Sequence, residues 1–209
     1  MTNVTADLMM SLDGFIAGPN SGVGNPGGDG GEALHAWMAE LASWRERQGL
    51  SGGAHNRDSE LVGEWFDATG AVVMGRTMFD SGEKYWGDNP PFRTPVFILT
   101  HRPRPAEVKQ GGTTYTFVTD GVHSALDQAR AAAGTRNVDI AGGAATVQQF
   151  LRAGLLDELQ LHVLPVLFGE GLRLFDDLGV LHQELEPLRV VRTPNATHLK
   201  YRLAKPPTA

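Results

Sequence analysis

The sequence predicts one α/β domain: a mixed, mostly parallel central sheet of about eight strands, in three layers with helices on both faces. Three observations carry that expectation. From residue 71 onward short apolar runs alternate with amphipathic segments, "AVVM", "PVFILT", "YTFVT" and "VDIA" reading as strands and "RTMFDS", "VHSALDQARAAAG" and "AATVQQFLRAG" as helices. Runs this short, flanked by helices, are the pattern of parallel strands buried on both faces. After residue 156 the helices stop, and "DELQLHVLPVLFG", "LRVVRT" and "THLKYRLA" follow as strands, so antiparallel pairing finishes the sheet. Finally, the 209 residues, 41% hydrophobic and 20% charged, show no repeat, low-complexity tract or compositional break, so a single domain over 1–209 is the economical reading.

The earlier elements follow in order. Residues 4–10, "VTADLMM", form a buried strand that ends at "SLDGFIAG". Seven of the fourteen positions at 18–31 are glycine, and that much backbone freedom predicts a mobile loop or lid. Gly22, Gly24 and Gly27 spell G-x-G-x-x-G there, but without a strand before and a helix after, the match carries no dinucleotide meaning. In "EALHAWMAELASWRERQ", 32–48, Leu34, Trp37, Met38, Leu41 and Trp44 fall on one stripe, so one amphipathic helix is expected. Lid and helix together make an insertion at 18–57. A second helix at 58–69 puts Leu61, Val62, Trp65 and Phe66 on its core side and acids at its start, where they suit the helix dipole.

Composition narrows the function. A net charge of −6 argues against a nucleic-acid surface or an anionic membrane as partner. With no cysteine there is no disulfide, thiolate nucleophile or Cys-ligated metal, which suits a reducing cytoplasm. The start lacks a signal-peptide pattern, and no apolar run approaches the ~18 residues of a membrane span, so a cytoplasmic protein is expected. The histidines show no metal spacing, so no metal is expected, and neither a G-x-S-x-G elbow nor a P-loop occurs.

Three strand ends carry the chemistry. In "VDIAGGAATVQQFLRAG", Gly142 and Gly143 stand between a strand and a helix, where free amides and the dipole make an anion site. A tight turn with Gly154 at the helix end fits that motif equally. "VVMGRTMFD" places Gly75, Arg76 and Thr77 at a second strand end, and "ILTHRPRP" places Thr100, His101 and Arg102 at a third. Together, at the carboxyl edge of one sheet, they point to a nucleotide with more than one phosphate.

"SLDGFIAG", "VVMGRTMF", "ILTHRP", "DIAGGAATVQQFL" and "DELQLHVLPVLFGEG" occur in an order and spacing that resembles the dihydrofolate reductase-like superfamily, most of all its riboflavin-biosynthesis reductase C-terminal domain type. The likeness runs from about residue 4 to 203. It implies NADPH as hydride donor. By family role Gly142, Gly143, Ala144, Ala145 and Thr146 hold the pyrophosphate, Gly75, Arg76 and Thr77 bind phosphates, and Thr100, His101 and Arg102 meet the 2′-phosphate. Ile16 and Ala17 line the nicotinamide pocket. The resemblance also implies two candidate catalytic acids: Asp13, in the turn after the first strand and near that pocket, and Asp58 or Glu60, at a helix start where dihydrofolate reductase has its substrate-binding carboxylate; an Asx turn for Asp13 and a helix cap for Asp58 are the structural alternatives. The riboflavin type carries a glutamate before the Gly-Gly pair and a lysine four positions before the S-x-D-G serine, where this chain has Ala141 and Asp7. The expected function is therefore NADPH-dependent hydride transfer to a small pterin- or pyrimidine-like heterocycle. A 5-amino-6-(5-phosphoribosylamino)uracil reductase and an NADPH-binding sensor without turnover are the alternatives. The late strands "LHVLPVLFGEGLRLF" are the candidate surface for a homodimer.

Overall fold

The computed structural model describes residues 2–176, 178–179 and 182–204. The chain opens with β1 (Val4–Ser11) and the short β2 (Phe15–Ala17), then runs through α1 (Glu32–Ala39), α2 (Ala42–Arg47) and α3 (Arg57–Ala68). The alternating section follows: β3 (Thr69–Gly75), α4 (Arg76–Trp86), β4 (Pro95–Leu99), β5 (Glu107–Val108), β6 (Thr114–Val118), α5 (Gly121–Ala133), β7 (Asn137–Gly142) and α6 (Ala144–Arg152). It ends in β8 (Glu158–Leu164), β9 (Leu172–Arg173), β10 (Leu185–Arg192) and β11 (Thr197–Leu203). Nine strands form one sheet in the order β10-β11-β8-β1-β7-β3-β4-β6-β5, while β2 pairs with β9 alone. The pairings from β8 to β6 are parallel, and β8–β11, β11–β10 and β6–β5 are antiparallel. The sheet is the mixed, mostly parallel one expected, with short β5 added at one edge.

Strand alternation divides the core between the two faces. Ala6, Leu8 and Met10 of β1 join Val73, Ile140 and Leu161 under α5 and α6. The opposite face is split. Met9 and Leu164 pack with Leu34, Met38, Val62 and Phe66 from α1 and α3, whereas Val72, Met74, Val96 and Ile98 pack with Phe79 of α4. The helices on that face therefore stand apart, and the gap between the two clusters becomes the cleft described below.

Two local expectations change. Residues 32–48 are two helices, because Leu41 between them is extended and bridges Ala54, with Ala42 N–H donating to the Ala54 carbonyl at 3.1 Å. That long-range pairing interrupts a sequence whose apolar stripe is continuous. The glycine-rich loop has a packing reason for its composition: Gly18 N–H donates to Gly27 O, Asp29 N–H donates to Pro19 O, and the Tyr85 hydroxyl donates to Gly24 O. A Cβ on Gly31 would lie 1.9 Å from the Gly27 carbonyl oxygen, so the turn closes only without side chains. In the segment expected to pair subunits, Leu167, Leu172 and Phe175 are exposed in the single chain. Among the described residues no helix is long and apolar enough to cross a membrane.

Gly75, where β3 becomes α4, tests this packing. A Cβ there would sit 2.4 Å from Thr146 Oγ1 on α6. Gly75→Ala should cost about 1–3 kcal/mol by overpacking, read from urea denaturation. Thr146→Ala in the same chain removes the clashing oxygen and should recover part of the loss; full additivity of the two changes would show that the contact is not the cause.

Candidate active site

The gap between the two helix groups opens into a cleft of about 1250 Å³, running across the middle of the sheet to the carboxyl ends of its parallel strands. Crevices at that edge are the ligand sites of open α/β sheets. One end of the cleft is built from backbone and positive charge, the other from aromatic rings over buried carboxyl groups.

At the first end the three strand-end motifs meet. Of the residues proposed for the cofactor, all but Gly142 line the cleft, including Ile16 and Ala17 from β2. Gly142 has a supporting role: its φ of +117° favours glycine, and it is joined to Gly143 by a cis peptide. Gly143 is the N-cap of α6 without a side-chain cap bond, and a Cβ on it would meet nothing within 4 Å. Gly75 caps α4 in the same uncapped way. Because a Cβ on Gly75 would touch Thr146, the two helix starts converge, presenting free amides and two positive dipole ends to one place. Arg76 Nε donates to Asp80 Oδ1 at 2.6 Å and Arg102 Nη2 donates to Asp80 Oδ2 at 2.9 Å, so one carboxylate holds both guanidinium groups at the mouth. Thr100 is buried, its hydroxyl accepting from Arg102 N–H, while His101 is exposed.

At the other end Trp44, Trp65, Phe66, Trp86 and Phe92 contribute to the lining. Arg47 is also there, but its guanidinium is committed to the Pro91 and Phe92 carbonyl oxygens and stacks 4.4 Å above the Phe66 ring. The floor carries Asp7 and Asp139, both almost wholly buried. Burial, and then the neighbouring Asp7 charge, push the Asp139 carboxyl well above the ordinary carboxylate range.

Neither acid favoured by the sequence lines the cleft. Asp13 accepts from Ser11 Oγ at 2.6 Å and from the N–H groups of Phe168 (3.1 Å) and Gly169 (2.7 Å), pinning the loop after β8 to the turn after β1. Asp58 is buried at the start of α3, where Asn56 is the cap, and accepts from His198 Nε2 at 2.8 Å and Asn195 Nδ2 at 2.8 Å. The partners of both acids also lie outside the cleft lining, so the structure brings neither of the two expected acids to the cleft wall. Glu32 of α1 lines the cleft but is exposed; the buried carboxyl groups there are Asp7 and Asp139. Their signal in the sequence was an acid inside a strand buried on both faces, which only a partner or a function can justify. Among the described residues, no group of three or more His, Asp or Glu side chains is arranged to hold a metal.

The model of the RibD C-terminal domain matches residues 2–199. A Shewanella sp. PV-4 protein assigned to riboflavin biosynthesis is structurally similar, with a TM-score of 0.68 and 24% identity over 98% of this chain and 99% of that one. A diaminohydroxyphosphoribosylaminopyrimidine deaminase/5-amino-6-(5-phosphoribosylamino)uracil reductase from Thermotoga maritima gives 0.60 at 15% identity, covering 97% of this chain and 57% of its own. Dihydrofolate reductase from Enterococcus faecalis, solved with NADP(H), gives 0.51 at 15% identity over 96% of both chains. At such identities the structural likeness speaks to the fold.

The Asp13 anchor has a measurable signature. The Ser11 hydrogen bond, with the Gly169 and Phe168 amides, lowers its pKa from 3.8 to about 2. A depressed carboxylate stabilises the fold above its ordinary value, and the contribution is lost as pH falls from 3.8 through about 2. A carboxyl-carbon NMR titration should find the midpoint near 2, and Asp13→Asn should blunt the acid destabilisation over that window. An ordinary midpoint would remove the anchor.

Proposed function

The chain belongs to the RibD C-terminal domain family, and on that premise we propose that it is an NADPH-dependent reductase of a small pterin- or pyrimidine-like heterocycle. One observation carries the reading: a single cleft whose phosphate-binding geometry and aromatic, carboxyl-floored geometry lie end to end. The nicotinamide cofactor would supply the hydride. Gly143, open where a side chain would project, and the uncapped starts of α4 and α6 would receive its pyrophosphate. Arg76 and Arg102 would take the remaining phosphates, and β2 would cover the nicotinamide through Ile16 and Ala17. The rings of Trp65 and Phe66 suit a flat heterocycle, and the low-dielectric floor excludes water from its reacting edge. The protein's share of the rate would come from holding donor and acceptor in contact and offering a proton.

A uracil-type substrate bearing a phosphoribosyl group is the less favoured alternative. Asp7 and Ala141 stand where that branch carries a lysine and a glutamate, and the one arginine at the heterocycle end, Arg47, is already engaged by carbonyl groups. Incubation with NADPH and a panel of reduced pteridines and aminouracils, followed at the dihydronicotinamide absorbance, tests the reading; binding of NADPH without oxidation by any of them would favour a sensor.

Two variants probe the cofactor end. Arg102→Ala should weaken NADPH far more than NADH, by about 1.5–3 kcal/mol for a charged hydrogen bond, measured by calorimetric titration; equal losses would refute the 2′-phosphate assignment. A Cβ at Gly143 would meet no protein atom within 4 Å, and the residue has an ordinary φ of −69°, so the probe is Gly143→Val. It should melt within a few degrees of the parent yet lose NADPH binding, whereas intact affinity would make the glycine pair a plain turn.

A further inference from the structure

Behind the cleft floor four ionisable side chains from four elements form one hydrogen-bonded line. Asp7 Oδ1 of β1 is 2.6 Å from His162 Nε2 of β8, His162 Nδ1 is 2.5 Å from His198 Nδ1 of β11, and His198 Nε2 is 2.8 Å from Asp58 Oδ1 of α3. All four are more than nine-tenths buried, and Trp37 packs its ring against both imidazoles. Only Asp7 reaches the cleft. The same residue also lines a separate pocket of about 70 Å³, shared with Glu64, Glu158, Arg189 and Lys200.

Protons in this line can be counted. Carboxylate oxygens and bare imidazole nitrogens are all acceptors, so each of the three contacts needs one proton between its atoms. Two neutral imidazoles bring two. A third must be present, on a ring or on one of the carboxyl groups, leaving the four groups with a net charge of −1. Burial, and then the neighbouring His162, lower the pKa of His198, which disfavours the surplus proton on that ring. Two charged groups face the line: Asp139 of β7 lies beside Asp7, its pKa raised by burial and then by the Asp7 charge, and Arg189 of β10 is held by Glu64 and by Gln160 Oε1.

We propose that the Asp7–His162–His198–Asp58 line is a proton store that opens on the cleft through Asp7 and supplies the proton that accompanies hydride transfer. The idea rests on the reductase reading above. In the step, the hydride with its electron pair leaves the dihydronicotinamide and forms a C–H bond at the substrate carbon of a C=N bond. The displaced π pair takes the proton of Asp7, breaking its O–H bond, and the cofactor is oxidised as the substrate is reduced. Asp7 then faces His162 across a contact with no proton, two lone pairs opposed at short range, and that repulsion drives uptake of one proton from solvent through the small pocket. Asp7 is the catalytic residue, while His162, His198 and Asp58 are positioning residues that keep it loaded.

The test has two independent arms. In ¹⁵N-labelled protein without ligand, imidazole nitrogen spectra should show His162 and His198 sharing a strongly downfield, slowly exchanging Nδ1 proton and holding three protons between them and their carboxylates through neutral pH. Asp58→Asn, nearly isosteric and checked for native circular dichroism, should abolish the downfield line and move the titration of His162, which it does not touch. Two fixed neutral tautomers that ignore Asp58→Asn would overturn the store whether or not the protein is a reductase. In the second arm, single-turnover oxidation of NADPH by 7,8-dihydrofolate should fall at least a hundredfold in Asp7→Asn with NADPH affinity unchanged, and Asp58→Asn should shift the pH midpoint of that step. A parent protein that oxidises NADPH with this probe while Asp7→Asn keeps its rate removes Asp7 as donor. A parent that does not react counts against the reductase reading alone and leaves the spectral arm to decide the store.

Discussion

The cleft depends on one placement: β7 runs parallel between β1 and β3. Its register sets Val138 against Val4 and Ile140 against Val73, so the Gly-Gly end of β7 emerges beside Gly75 at the end of β3. Without that insertion the starts of α4 and α6 would not converge, and Asp139 would not lie beside Asp7. A strand that must be buried on both faces also has little freedom to slip, because a one-residue shift would turn Val138 and Ile140 out of their core and Asp139 into it.

Buried charge is the second constraint. Placing Asp7, Asp58, Asp139, His162 and His198 inside a protein costs desolvation that only dense hydrogen bonding offsets, and replacing such groups by packed apolar side chains is often neutral or better for stability. Their presence at buried positions therefore points away from stability as their purpose. The same region holds the aromatic end of the cleft, so the polar line and the surface suited to a flat ring are parts of one local design.

Much of this was legible in the residues. Alternation of short apolar runs with helices revealed the sheet, and three strand ends bearing Gly-Gly, Gly-Arg-Thr and Thr-His-Arg revealed one end of the cleft, because backbone chemistry at strand ends follows from local order. What escaped was set by distance along the chain. The break at Leu41 comes from its bridge to Ala54, and the partners that occupy Asp58, His198 and Asn195, lie about 140 positions away. Asp7 and Asp139 read as strand interior, since nothing in a single sequence says that two acids in separate strands face the same floor. Asp13 drew notice as an acid near the expected nicotinamide, yet the amides that saturate it come from the far end of the chain.

Asp80 has one more implication. One carboxylate, Asp80, already holds both Arg76 and Arg102, so the mouth of the site is only partly neutralised before any ligand arrives. On the proposed function, a phosphate entering there would compete with that carboxylate for the guanidinium pair. Selectivity then follows from valence: a dianionic phosphate outcompetes a monovalent carboxylate, and the advantage shrinks once the phosphate takes up its second proton near pH ~6. A side chain of the protein would thus set the threshold that an incoming phosphate has to exceed, and acidification would raise it.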